Sequence, residues 1–291
     1  MLTLILSLVL SLAGPAQTLT VDAATREIEK IIAASGAEVA VAYRPLQPVG
    51  SGEILIDVDK AFHAASTMKV PVMIEAFRQA DAGTLSLDQP ISITNTFKSI
   101  VDGSPYEMSV TEDSDGEVYK AIGKTLTVRQ LVMASITVSS NLATNILIET
   151  LGAGNVRKTV SALGGDGMLV LRGVEDQKAF DKGLNNATSA RALMVLMEKI
   201  ARGQAVSPAA SRAMADILRM QQFNDAIPAG IPAGVPVGHK TGSITRISHD
   251  AAIVYAEKPY VLVLLTRGIE DGKKSAALMA DISKVIYSIQ R

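Results

Sequence analysis

The sequence predicts an α/β fold in which helices flank an antiparallel sheet formed from both chain ends, with an all-helical lobe inserted. Strand-like segments occur near both ends of the 291-residue chain, and the middle has helical spacing. With 48% hydrophobic residues the chain can bury a sizeable core. We therefore expect residues 17–66 and 221–291 to form the α/β lobe and residues 67–220 a mainly helical lobe.

The first elements are a helix and two strands. Residues 21–34 carry apolar side chains on one side and an acidic residue near the start, which predicts a helix. Residues 39–43 and 54–58 alternate as strands do, and the turn-forming residues 48–52 predict an antiparallel pair. After Ser66 the apolar residues take helical spacing, so the chain passes from strand to helix there.

The middle of the chain is predicted to be mainly helical. Thr127 and Gln130 form a capping box that opens a helix ahead of Ser139. Further helices are predicted from Asn141 to the glycine at 152 and over residues 188–201. Another helix follows, because the Ser-Pro pair at 207 and 208 supplies a cap and a first-turn proline.

Strand character returns after a proline- and glycine-rich run at 227–236. Residues 239–244, 251–255 and 260–266 predict three strands. Apolar residues at helical spacing over 278–289 then predict a final helix. Strands at both ends of the chain imply that these ends meet in one sheet.

Composition excludes several function classes. The formal net charge of −1, from 28 basic and 29 acidic residues, gives no positive potential for nucleic acid. The absence of cysteine excludes disulfides, thiolate zinc sites and cysteine nucleophiles. His63 and His239 are too isolated to predict a metal site, and no phosphate-binding glycine loop is present. We expect the protein to need no metal and no cofactor. We also expect it to be a monomer.

The first residues predict export. Residues 2–12 are almost uninterruptedly apolar, and the small residues at 13–16 suit signal-peptidase cleavage. The predicted signal peptide is 1–16, which makes the mature protein periplasmic or secreted. No Lys or Arg precedes the apolar run, which is atypical. The alternative is an uncleaved anchor, but the run is shorter than the ~20 residues that span a bilayer, so no membrane span is expected after cleavage.

Ser66 and Lys69 form the first motif with chemical content. In Ser66-Thr67-Met68-Lys69 the hydroxyl and the amine are one helical turn apart and can touch. A serine hydroxyl needs an adjacent base, and a buried lysine near a second cation can lose its proton and serve as that base. Lys240 is a candidate for the second cation. The helix start also directs backbone N–H groups toward a developing oxyanion.

Two further motifs follow in order, Ser139-Ser140-Asn141 and Lys240-Thr241-Gly242. The three motifs together resemble those of class A β-lactamases and penicillin-binding proteins. The resemblance covers most of the chain after the predicted signal peptide. It implies a serine β-lactamase or transpeptidase-like fold and a serine hydrolase that opens β-lactam amides.

The resemblance also implies roles for individual residues. Ser66 would attack the amide, Lys69 and Ser139 would transfer protons, and Asn141 would orient the substrate. The substrate carboxylate would bind to Lys240, Thr241 and Ser243, beside Gly242. The backbone N–H groups of Ser66 and Ser243 would form the oxyanion hole.

Two departures from the family pattern affect these roles. Ser140 replaces the usual aspartate of the second motif. In the loop that carries the family's deacylating glutamate, Glu175 is the candidate base, but Ala179 stands where the family has asparagine, and Asn185 and Asn186 come later. Arg246 is a candidate second partner for the carboxylate, although most class A enzymes place theirs elsewhere.

The adjacent residues His249 and Asp250 suggest a Ser-His-Asp catalytic triad as an alternative interpretation. Adjacent residues on a strand point to opposite faces, so Asp250 cannot orient the ring of His249, and we expect a structural role.

Three functions remain compatible with the sequence. The chain is a β-lactamase, a D-alanyl peptidase or esterase that deacylates slowly, or a non-hydrolytic sensor of β-lactams or peptidoglycan. The complete set of Ser66, Lys69, Ser139 and Lys240 counts against the sensor. Glu175 decides between the first two, whose substrate is a small β-lactam or a D-alanyl peptide.

Overall fold

The computed structural model of the chain describes residues 19–47 and 52–289. The predicted signal peptide at 1–16 and most of the predicted turn at 48–52 lie outside the described residues. Within the described ranges, no helix combines the length and the apolar character needed to cross a bilayer.

The described part of the chain contains α-helices, strands and three short 3₁₀ helices. The α-helices are α1 (Val21–Ser35), α2 (Lys69–Asp81), α3 (Val128–Thr137), α4 (Asn141–Leu151), α5 (Ala153–Ala162), α6 (Gln177–Asp181), α7 (Ala190–Ala201), α8 (Pro208–Leu218) and α9 (Gly272–Ser288). The strands are β1 (Glu38–Pro45), β2 (Ile54–Ile56), β3 (Phe62–His63), β4 (Pro90–Ser92), β5 (Phe97–Lys98), β6 (Pro105–Tyr106), β7 (Thr125–Thr127), β8 (Ala187–Thr188), β9 (Val237–Ile244), β10 (Ile247–Val254) and β11 (Tyr260–Arg267). The 3₁₀ helices are Ala65–Met68, Val118–Ala121 and Ile227–Gly230.

A five-stranded antiparallel sheet in the order β2-β1-β11-β10-β9 joins the two ends of the chain. The N-terminal strand β1 pairs with the C-terminal strand β11, for example through Tyr43 and Leu262. This arrangement confirms the predicted fold class. The edge strand β9 follows the proline- and glycine-rich run and carries the third motif.

Hydrophobic clusters cover both faces of the sheet. One cluster joins the sheet to α1 and α9, through residues such as Ile28 and Ile282. The other joins the opposite face to the helices of the middle of the chain, including α2, α4 and α7. Since both faces are covered, β1 is buried at five consecutive residues, 39–43, and the predicted alternation does not appear as alternating burial.

Local signals set most helix boundaries. Thr127 and Gln130 make the predicted capping box at α3, and Ser207 with Pro208 opens α8. Three small two-stranded ladders, β3–β8, β4–β7 and β5–β6, were not predicted from the sequence. Their strands are too short for a period of two to be visible, because each has only two or three residues.

Candidate active site

Ser66 lies in the 3₁₀ turn Ala65–Met68, which leads directly into α2. The residue before it, Ala65, has a φ of 45°, a left-handed conformation that costs energy for a residue with a Cβ. His63 stabilises this turn, because its Nδ1 accepts a hydrogen bond of 3.0 Å from the Ala65 N–H. Strain next to a half-buried serine is typical of a functional site.

Lys69 is fully buried one turn after Ser66. Its Nζ donates to Ser139 O at 2.6 Å, to Asn141 Oδ1 at 2.8 Å and to Ser139 Oγ at 3.2 Å. Burial lowers the pKa of Lys69 to about 7, against the opposing effect of the carboxylates of Asp113 and Glu175. The amine is therefore close to balance between its charged and neutral forms near neutral pH.

Lys240 reaches the same hydroxyl from β9. It is also fully buried, and its Nζ donates to Ser139 Oγ at 3.0 Å and to Thr241 O at 2.7 Å. Burial and the neighbouring Lys69 hold the pKa of Lys240 well below its usual range, although Asp250 opposes them. The Ser139 hydroxyl thus lies between the two lysines, a position that suits proton transfer.

Gly242 and Ser243 bring β9 against the start of the turn that carries Ser66. A Cβ on Gly242 would lie 2.8 Å from Ser66 N and 2.9 Å from Thr67 N, so only glycine allows this approach. Ser243 pairs with Ser248, one step from the closing pair of the hairpin. Hydrogen-bonded and non-hydrogen-bonded pairs alternate, so the Ser243 N–H points away from β10, toward the open edge of the sheet.

Two cavities meet at Ser66. The larger, of about 610 Å³, is lined by residues of all three motifs and reaches the start of α9. The smaller, of about 340 Å³, is bordered by the loop between α5 and α7 and contains Glu175. Ser66, Asn141 and Ser243 line both cavities. A group bound on Ser66 could therefore be approached by Glu175 from the smaller cavity.

The Glu175 carboxylate bonds to two other segments. Oε2 accepts a hydrogen bond of 3.1 Å from Ser109 N, and Oε1 accepts one of 3.3 Å from Asn141 Nδ2. Burial raises the pKa of Glu175, and these hydrogen bonds oppose the rise. The residue has a φ of 62°, a second left-handed conformation at the site.

The residues on either side of Glu175 are anchored. Asn145 on α4 accepts from Val174 N at 2.7 Å and donates to Val174 O at 3.0 Å. The Asp176 carboxylate accepts from Ser99 Oγ at 2.8 Å and from Ile100 N at 2.9 Å. These contacts hold the loop on both sides and allow it to keep the strained conformation of Glu175.

The other loop residues singled out in the sequence do not reach this carboxylate. Ala179 is fully buried, and its N–H donates to Asp176. Asn186 joins the two ends of the loop, because its Oδ1 accepts a hydrogen bond of 2.8 Å from Leu171 N. Asn185 Oδ1 accepts from the Arg172 guanidinium at 2.9 Å.

Arg246 is not brought to the site. It occupies the tip of the β9–β10 hairpin, where its Nη2 donates to Gly268 O, and it lines neither of the two cavities. Lys273, near the start of α9, lines the larger cavity instead. Residues 246 and 273 are far apart in sequence, so no local pattern indicated that Lys273, and not Arg246, would line the cavity.

His249 and Asp250 point to different partners, as predicted for neighbours on a strand. Asp250 Oδ1 lies 2.9 Å from Nδ1 of His239 on β9. His249 Nε2 lies 2.9 Å from the backbone oxygen of His63, just before the turn that carries Ser66. Within the described ranges, no group of histidine and acidic residues could hold a metal ion.

Three residues at the site, Asp113, Ser114 and Asn145, were not predicted from the sequence. Asn145 follows Asn141 by one helical turn, and this spacing could have placed both amides on one face of α4. Asp113 and Ser114 lie in a polar loop without a periodic pattern, and only the tertiary structure brings Asp113 to α4 and Ser114 to the turn before it.

Comparison with known proteins agrees with this geometry. A family model described as "Beta-lactamase enzyme family" matches residues 23–290. A β-lactamase of Streptomyces albus G is 27% identical over 276 residues, which cover 92% of this chain and 84% of the relative.

Two solved structures illustrate the shared fold. An ancestral class A β-lactamase aligns with a TM-score of 0.77 and 22% identity, covering 91% of this chain and 98% of that one. A point mutant of PBP-A, solved as an acyl-enzyme complex with penicillin G, aligns with a TM-score of 0.76 and 23% identity, covering 93% of this chain and 97% of that one. At these identities the likeness shows the fold.

Proposed function

We propose that this chain, which belongs to the β-lactamase enzyme family, hydrolyses β-lactam amides through an acyl-enzyme on Ser66. The observation that carries the proposal is the contact of Ser139 Oγ with both buried lysines, Lys69 at 3.2 Å and Lys240 at 3.0 Å. A hydroxyl in this position can carry a proton between the nucleophile and the departing nitrogen.

Acylation begins when Ser66 Oγ attacks the lactam carbonyl. Lys69, in its neutral form, accepts the serine proton. The C–O bond to Ser66 forms, the ring C–N bond breaks, and Ser139 delivers its proton to the nitrogen and regains one from Lys69, whose Nζ donates to Ser139 Oγ. The N–H groups of Ser66 and Ser243 stabilise the oxyanion of the tetrahedral intermediate.

Lys240 and Thr241 bind the substrate carboxylate in this proposal. A bound carboxylate adds a second negative charge to that of Asp250, which favours the protonated Lys240 amine when substrate is bound. Lys273, which lines the same cavity, is better placed than Arg246 to supply a second cation.

Deacylation requires a water molecule activated beside the ester. Glu175 is our candidate for the general base, because it lines the smaller cavity together with Ser66.

The central experiment is intact-protein mass spectrometry over time with a penicillin and a cephalosporin. We expect one acyl group per chain, on the peptide that contains Ser66, followed by its release. Ser66→Ala should acquire no adduct. An adduct on Ser66→Ala would remove Ser66 as the nucleophile.

A second candidate function, a slowly deacylating D-alanyl peptidase or esterase, is favoured by one observation. At the position where the family has an asparagine, Ala179 is buried and offers no amide to hold a water beside Glu175. If the parent protein remains acylated after one equivalent of every β-lactam tried, this second function replaces the first. Hydrolysis of D-alanyl-D-alanine peptides would then be the activity to measure.

We further propose that the protein acts in the periplasm or outside the cell, on the basis of the apolar run at residues 2–12. N-terminal sequencing of the exported protein should begin near Gln17.

A further inference from the structure

The segment Ser109 to Asp115 makes hydrogen bonds to three parts of the candidate active site. Its first contact is the bond from Ser109 N to Glu175. The Asp113 carboxylate accepts from Asn141 N at 2.9 Å, through both oxygens, and from Leu142 N at 2.9 Å. Ser114 Oγ lies 2.7 Å from Val138 O and 3.1 Å from Ser139 O.

These contacts stabilise the backbone around Ser139, which is strained. Ser139 has a φ of 59°, which is costly for a residue with a Cβ. Its carbonyl oxygen receives Lys69 Nζ as well as the Ser114 hydroxyl. Asp113 holds Asn141, two residues further on, at the first turn of α4, where a negative charge is favourable.

Asp113 also supplies a charge that the second motif lacks. Ser140, in place of the family's aspartate, caps α4 through a bond of 3.3 Å from Ala143 N, but it is neutral. Asp113 brings a carboxylate to the same helix end from a different loop. Its charge acts on Lys69, whose pKa it raises against the effect of burial.

We infer that Asp113 is a positioning residue for acylation: its carboxylate holds Asn141 and Leu142 at the start of α4 and places a negative charge near the Lys69 amine. Ser114 shares the positioning role but contributes no charge. The inference rests on the proposed function, since Lys69 is taken as the base for Ser66.

The charged and titratable groups that face Lys69 define the expected pH effect. Lys240 faces it from β9, and Glu175 and Asp113 face it from their loops. Tyr119 lies beside Asp113, and burial raises the pKa of its phenol, so it stays neutral. Among these groups Asp113 can be neutralised without removing a residue that we assign to the chemistry.

The experiment measures the rate of acylation by a penicillin from pH 5 to pH 9, by stopped flow, in the parent, Asp113→Asn and Asp115→Asn. Asp115 is the matched control, because its Oδ1 accepts from Glu117 N in the same loop and not from α4. The acidic limb is the part of the pH profile over which the acylation rate rises from low pH to its plateau. In Asp113→Asn we expect this limb to move to lower pH by roughly one unit, because the negative charge near Lys69 is lost. We expect the plateau rate to fall by roughly tenfold to a hundredfold, because Asn141 is less well fixed.

A purely structural role predicts a different result. It would lower the melting temperature and the rate at every pH while leaving the limb in place. An unchanged limb in Asp113→Asn, relative to the parent and Asp115→Asn, overturns the inference.

Ser114→Ala tests the positioning role separately. It should reduce the plateau rate and leave the limb unmoved, because no charge is removed. An unchanged plateau would contradict positioning by this segment.

If Asp113→Asn does not fold, Asp113→Glu keeps the charge and should retain the parent's limb. A limb that moves in this variant also overturns the inference. A parent that no β-lactam acylates refutes the proposed function itself, whereas an acylated parent with unresponsive variants refutes only the role of Asp113.

Discussion

In the proposed mechanism Lys69 must lose its proton before it can accept one from Ser66, and burial brings that loss into the neutral range. Its pKa is lowered to about 7. The neutral fraction increases as pH rises through that value, so we predict that acylation of the parent increases over the same range and then levels off. Stopped-flow acylation rates from pH 5 to pH 9 measure this dependence.

Lys69→Arg provides the comparison, because a guanidinium stays protonated throughout this range. Its acylation should be slow at every pH and lack the limb near pH 7. A variant that retains the parent's profile would show that another group accepts the proton.

Glu175 is the residue whose role most affects turnover. If it activates water, Glu175→Gln should leave acylation nearly intact and slow deacylation by ~10²–10⁴-fold, the usual effect of removing a general base. The variant should then show a burst of one equivalent followed by slow release. Glu112→Gln is the matched control, because Glu112 lines the larger cavity and not the smaller one that contains Glu175. Parent-like turnover in Glu175→Gln would exclude the residue as the base.

Among the elements, the loop that carries Glu175 is attached to α4 through the amide side chains of Asn141 and Asn145. Asn145→Ala would remove the acceptor of the Val174 N–H and one of two donors to the Val174 C=O, the other being the Tyr106 hydroxyl at 3.4 Å. The unpaired N–H should cost up to about 3 kcal/mol. We predict a lower melting temperature together with slower deacylation, because Glu175 loses its fixed position. Thermal unfolding and single-turnover kinetics measure the two effects.

Asn155→Ala separates the loss of stability from the loss of position. Asn155 on α5 donates to Leu151 O, at the end of α4 away from the active site. Its replacement should lower the melting temperature without changing deacylation. Equal kinetic effects in both variants would contradict the anchoring role of Asn145.

Across the whole molecule, α7 connects the sheet to the helices of the middle of the chain. Leu193, on α7, is fully buried in the hydrophobic cluster that these elements share. We predict that Leu193→Ala costs about 2–5 kcal/mol and that β11 and α4 lose protection together, because they belong to one core. Hydrogen exchange followed by mass spectrometry measures both segments.

Leu55→Ala is the control for this substitution. Leu55 in β2 is 39% exposed, so its truncation should have a small effect. Protection of β11 that persists after α4 has opened would show that the sheet and the helices unfold as separate units.

Local patterns in the sequence predicted most of the longer elements and their order, but not α5 and α6. The capping box at Thr127 and the Ser-Pro pair at 207 and 208 mark helix starts that the structure confirms. The resemblance to class A β-lactamases is also confirmed. The short ladders, such as β5–β6, were missed because two residues carry no periodic signal.

The motifs and the fold class could be identified without coordinates, because both depend on residue types at fixed spacing along a helix or a strand. Which distant groups meet depended on the tertiary fold. It brought Asp113 to α4 and Ser114 to Ser139, left Arg246 at a hairpin tip and placed Lys273 on the cavity wall. Contacts between segments depend on how strands pair and helices pack, and these arrangements leave no periodic pattern in the loops they bring together.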